Sequence, residues 1–123
     1  MFNHVMVGTN DITTAKRFYD AVLGALGYDA GVMPTESRVF YRSEHGAFAL
    51  TTPLNGEPAT TSNGATIGFL AASQEEVDAW HAAGLANGGA TCEDPPGVRA
   101  NGMYIAYMRD PDGNKICALK RAD

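Results

Sequence analysis

Turn and cap chemistry recurs once along this 123-residue chain, and that recurrence constrains the fold more than any single residue. Residues 2–7 alternate like a strand and end at Gly8-Thr9-Asn10-Asp11. Those short side chains can accept from the free N–H groups of a first helical turn. Ile12, Ala15, Phe18, Tyr19, Val22, Leu23 and Leu26 then fall on one helical face, and Gly27 can end the helix in a left-handed conformation. Three short strands are predicted next, at 28–33, 38–42 and 47–52, separated by Pro34-Thr35-Glu36-Ser37 and Ser43-Glu44-His45-Gly46.

The same order returns after a stretch rich in Pro, Gly, Asn, Thr and Ser at 53–64. A strand is predicted at 65–71, and Ser73 with Glu76 fits a capping box. Val77, Trp80, Gly84 and Leu85 give a helical apolar face, and Gly88 and Gly89 stop it. Strands at 90–93, 103–108 and 115–120 follow, broken by Asp94-Pro95-Pro96-Gly97 and by Asp110-Pro111-Asp112-Gly113-Asn114. Strands, caps and stops in the two halves are offset by about 63 residues. The expected fold is α+β: one domain over 1–123, built from two tandem βαβββ modules. Module 1 covers about 1–56, the linker about 53–64 and module 2 about 64–123. Each curved mixed sheet should carry its helix on the convex side, leaving a concave cleft to be covered or to hold a ligand.

Composition excludes several classes. Apolar residues at 45% and charged residues at 19% are globular values. No apolar stretch approaches the ~20 residues that span a membrane. A net charge of −5 argues against nucleic acid, and it suits a cationic ligand if the acidic residues face the cleft. Met1-Phe2-Asn3-His4 leads straight into a strand with no basic or apolar leader, so the expected location is cytoplasmic. Cys92 and Cys117 fit no zinc spacing and no CxxC pattern and read as reduced thiols.

Asp110-Pro111-Asp112-Gly113-Asn114-Lys115-Ile116 resembles the signature before the last strand of the vicinal oxygen chelate superfamily, which includes glyoxalase I, bleomycin-resistance proteins and extradiol dioxygenases. His4 on the first strand, Ala15-Lys16-Arg17-Phe18-Tyr19, the run from Val77 to Gly84, and Pro95-Pro96-Gly97-Val98-Arg99 extend the resemblance over nearly the whole chain. It implies a small-molecule cleft, a homodimer whose two chains wall it, and a divalent metal held by the first, fourth, fifth and eighth strands. The metal would act as a Lewis acid on adjacent substrate oxygens. Here those four positions fall on His4, Ala49, Thr66 and Cys117. Ala49 has no donor atom, Thr66 offers a neutral hydroxyl, and a catalytic site needs about three protein ligands. No cofactor is therefore expected, a divalent metal is disfavoured, and His4 is a remnant of the site.

The residues expected to line the cleft are His4, Met6, Ala49, Thr66, Arg99, Tyr104 and Cys117. His4 is a candidate general base or hydrogen-bond partner, and Cys117 a candidate nucleophile paired with it. A buried structural thiol is the competing reading of Cys117. Arg99 is a candidate clamp for an anion. Strand parity puts Tyr104 and Tyr107 on opposite faces, so only one of them can face the cleft. Asp110 and Asp112 are explained by turn chemistry, and Trp80 by packing. The expected function is a glyoxalase-like protein with a degenerate metal site. Alternatives are a metal-dependent lyase, isomerase or dioxygenase of the same superfamily, and a drug-sequestering protein.

Overall fold

The recurrence is realised as two four-stranded sheets, each with its own helix, in a computed structural model that describes residues 1–123. The elements are β1 (His4–Gly8), α1 (Ile12–Ala25), β2 (Val32–Thr35), β3 (Arg38–Ser43), β4 (Gly46–Thr51), β5 (Ile67–Leu70), α2 (Gln74–Ala86), β6 (Ala90–Val98), β7 (Tyr104–Arg109) and β8 (Lys115–Lys120). Sheet order is β1-β4-β3-β2 in the first module and β5-β8-β7-β6 in the second. In both, the strand before the helix pairs in parallel with the last strand, and the others pair antiparallel. The tandem βαβββ expectation holds. No helix is long and apolar enough to cross a membrane.

Local chemistry explains the helices. The Asp11 carboxylate accepts from Thr14 N at 3.1 Å and caps α1. Gly27 then turns the chain away at φ +94°. Ser73 accepts from Glu76 N, while the Glu76 carboxylate reaches past the cap to Ala72 N, a shifted form of the expected capping box. The α2 face differs from expectation at Leu85, which is 40% exposed. Val77, Trp80 and Gly84 keep the 3- and 4-residue spacing, and one further position rotates Leu85 off that stripe. Gly84 lets the Met108 thioether pack against the helix, since a Cβ would displace its end and approach Val22 to 3.2 Å.

Alternation decides which face each strand buries. Phe48 and Leu50 of β4 pair with Tyr41 and Val39 of β3 on the side that α1 covers. Ile116 and Ala118 of β8 lie beside Met108 and Ala106 of β7 on the side that α2 covers. Both helix-packed faces and both helices merge into one core, joined by rings such as Phe48 and Phe69 with centroids 5.2 Å apart. Trp80 is fully buried there, its indole Nε1 without a partner.

Several strand boundaries correct the expectation. The predicted strand at 28–33 begins only at Val32. Asp20 accepts from Gly31 N at 2.9 Å, and Gly31 packs so closely that a Cβ would sit 2.7 Å from Tyr41 Cζ. The chain is thus held over the sheet before it can join the ladder. The predicted break at Asp94-Pro95-Pro96-Gly97 lies inside β6. An edge strand tolerates residues without N–H, and the register slips between Cys92 and Gly97, with Glu93 at φ +60°. The first and fifth strands are also displaced, to His4–Gly8 from 2–7 and to Ile67–Leu70 from 65–71.

The modules are tied together by a buried polar contact. The Tyr19 hydroxyl on α1 donates to Asp110 Oδ2 in the β7–β8 turn at 2.6 Å. The Asp110 carboxylate also accepts from Asp112 N, Asn114 N and the Asn114 side chain. Asn10 N donates to Asp112 Oδ1 at 2.9 Å. Tyr19→Phe removes one donor from a buried carboxylate and should lower stability by about 1–3 kcal/mol. Urea denaturation checks this: the midpoint should fall while the slope is unchanged.

Candidate functional site

The core leaves one face of each sheet outside it. On the first sheet, register puts His4 beside Ala47 and Met6 beside Ala49 on that outer face. Phe40, opposite Ala49, and the flanking Arg38 and Arg42 complete it from β3. Ala49 is fully buried among these neighbours. On the second sheet, one row across the strands carries Cys92, Tyr107, Cys117 and Gly68.

Cys117 is 5% exposed, and burial pushes its thiol up to about 11, against a weaker pull downward from Lys115. It is a protonated thiol at neutral pH and not an activated nucleophile. Cys92 and Cys117 are both free. They flank Tyr107 two strand spacings apart, about 9–10 Å, which is beyond disulfide reach. The His4 imidazole is exposed, its Nδ1 2.8 Å from Asn3 Nδ2. No hydrogen bond joins His4 to Cys117, and no three His, Cys, Asp or Glu side chains group in a way that could hold a metal ion. The residues present do not fit a resident divalent metal within one chain.

Three expected cleft residues are placed differently. Tyr104 packs against the core, and its hydroxyl donates to Asp78 on α2 at 2.7 Å, so Tyr107 faces outward instead. Arg99 does not offer a free guanidinium: it donates to the carbonyls of Asp94, Pro95 and Gly97 and lies 5.8 Å from the Tyr107 ring centroid. It holds the β6 irregularity in shape. Thr66 is exposed and lies just before β5. His4, Met6, Ala49 and Cys117 lie on the outer faces of their sheets.

A cavity of about 270 Å³ opens at one end of the seam between the sheets. His4, Ala47, Phe48, Gly68, Phe69 and Leu70 are among its walls, so it brings β1 and β5 to one hollow. Neither Ala49 nor Cys117 reaches it or the second cavity beside β1. Periodicity could not reveal this hollow, because it forms where strand ends and the β3–β4 turn meet.

Residues 1–118 match the sequence profile described as the Glyoxalase/Bleomycin resistance protein/Dioxygenase superfamily. The crystal structure of a glyoxalase/bleomycin resistance protein from Albidiferax ferrireducens T118 is similar at 63% identity and a TM-score of 0.95, over 98% of each chain. A lactoylglutathione lyase from Agrobacterium tumefaciens shares the fold at 23% identity and a TM-score of 0.69, over 98% of this chain and 92% of that one. A Brassica oleracea var. gemmifera protein named for lactoylglutathione lyase is 28% identical over 124 residues. That match covers 98% of this chain and 44% of the Brassica protein, so this chain spans less than half of that relative.

Two measurements follow from the buried thiol. With a thiol near 11, about one Cys117 in a thousand is ionised at pH 8. Native protein treated with iodoacetamide at pH 8 should be alkylated at the half-buried Cys92 well before Cys117, read by peptide mass spectrometry. Folding raises this pKa above the ordinary 9.0, so the contribution of Cys117 to stability is full below pH 9 and is lost as pH rises through about 11. Cys117→Ala should flatten that part of the stability–pH curve.

Proposed function

The chain belongs to the glyoxalase/bleomycin resistance protein/dioxygenase superfamily, and on that premise we propose that its outer sheet faces form a small-molecule cleft that works without a resident divalent metal. In this reading it is not a working lactoylglutathione lyase. One observation carries the proposal: the positions at which the superfamily resemblance puts metal ligands hold His4, Ala49, Thr66 and Cys117. They supply one imidazole and one thiol, short of the roughly three ligands a catalytic ion needs, and no three His, Cys, Asp or Glu side chains group to make up the number. His4 is then the group that can accept or donate a proton at a bound ligand oxygen. Ala47, half-buried beside His4 and part of the same cavity wall, leaves room there for that ligand.

The cleft is completed by a second copy of the chain. What supports this is the superfamily resemblance together with the outer faces standing outside the single-chain core, where a partner's sheet could wall the cavity that His4 and Ala47 line. A second reading, a metal-dependent lyase, isomerase or dioxygenase, is favoured by the lactoylglutathione lyase names of the Brassica and Agrobacterium proteins.

Protein purified without chelator should contain well under one equivalent of transition metal per chain by elemental analysis. It should not turn over the methylglyoxal–glutathione hemithioacetal with added Ni²⁺ or Zn²⁺. Robust turnover would establish the second reading. Light scattering after size-exclusion chromatography should give twice the chain mass of 13.0 kDa.

A further inference from the structure

We infer that the outer face of the first sheet selects a small ligand that carries a negative charge beside a flat apolar body. This deepens the proposed cleft and rests on it. Parity sets Arg38, Phe40 and Arg42 on one side of β3, about 7 Å apart in succession. Phe40 is half-buried, and the Arg42 guanidinium lies over its ring, 4.5 Å from the centroid. Beside them β4 presents only Ala47, Ala49 and Thr51; Ala49 is covered by its neighbours, and the accessible ground next to Arg42 is the half-buried Ala47.

Neither arginine has an acidic partner. The ion pairs of the molecule are Lys16–Asp20, His45–Glu44, Lys115–Glu93 and Lys120–Asp123. Arg38 reaches only the Thr51 hydroxyl, at 3.4 Å. The nearest acids in sequence, Glu36 and Glu44, sit in the turns at either end of β3, and Glu44 faces His45. Across both sheets the strands carry acids only at Glu93 and Asp94 of β6. Glu93 is taken by Lys115, and Asp94 is exposed. The excess of 14 acidic over nine basic residues therefore lies on helices, caps, turns, linker and tail. The expectation of a cationic ligand required free acids facing the cleft; the outer face of the first sheet carries none, and Glu93 beside Cys117 on the second is paired with Lys115.

A guanidinium is weakly hydrated and donates paired N–H groups to carboxylate, phosphate or sulfonate oxygens. Arg38 is half-buried and Arg42 exposed, and no acid of the chain answers either charge, so both guanidinium groups are open to an anionic group of a ligand. Two such charges beside an aromatic ring therefore fit an anion with an apolar ring. On the second sheet the Lys115 ammonium also lies near a ring, 4.9 Å from the Tyr107 centroid, but there Glu93 answers its charge.

The test is calorimetric titration of the native protein with naphthalene-2-carboxylate and with its neutral isostere, naphthalene-2-carboxamide. The carboxylate should bind saturably and at least tenfold more tightly than the amide. Arg42→Gln and Arg38→Gln should each shrink that gap, while Arg17→Gln on the exposed side of α1 should leave it intact. Equal affinity for acid and amide, a gap that survives both substitutions, or no saturable carboxylate binding would overturn the inference. Ala47→Leu separates the two failures. If acid and amide bind alike and Ala47→Leu abolishes both, the cleft stands and charge selection falls. If Ala47→Leu leaves binding unchanged, the outer-face cleft itself falls.

Discussion

A tyrosine from the first module and a carboxylate from the second meet at 2.6 Å inside the core. Tyr19 is fully buried and Asp110 is 4% exposed, so neither can exchange its partner for water. A carboxylate is costly there unless its oxygens are occupied, and two backbone amides, one side-chain amide and the phenol occupy them. Burial, then the charge of Asp110, raises the Tyr19 hydroxyl well above its ordinary range, so it stays a donor. The same turn reaches the end of β1, through Asn10 to Asp112 and through Asn114 to the Gly8 carbonyl. One turn thereby fixes how the two sheets meet and which faces remain outside.

What was legible in the sequence was local or periodic. Asp11 and Ser73 cap their helices because short side-chain oxygens act within three residues of themselves. The family resemblance pointed to His4, Met6 and Cys117, which lie on the outer faces, and alternation required Tyr104 and Tyr107 to part. It could not say which tyrosine turns outward, because that depends on Asp78 waiting on α2. The path of β6 through Pro95 and Pro96 was hidden for a related reason. An edge strand needs partners on one side only, and edge position is a property of the whole sheet. Arg99 looked available until the carbonyls it holds were brought around it by that same irregular strand.

The charge of the chain is a second case in which a global number misleads about a local surface. Acidic residues are favoured at caps and tight turns, where their oxygens bind backbone amides, as Asp11, Asp110 and Asp112 do. Strand positions on the outer faces have no such use for them. A net negative protein can in this way display basic sheet surfaces. Cys117 shows the converse at a single residue: sequence pairs it with His4, but packing beside Gly68 leaves a thiol that behaves as a small apolar side chain.

The far edges of both sheets contain proline: Pro34 in β2, and Pro95 with Pro96 in β6. A residue without N–H cannot donate to an incoming strand, and the slipped register of β6 bends its hydrogen-bonding groups out of line. Neighbouring molecules are therefore discouraged from extending these ribbons edge to edge. The two proline-bearing margins thus offer an incoming strand an interrupted row of donors, a poor template for fibril growth.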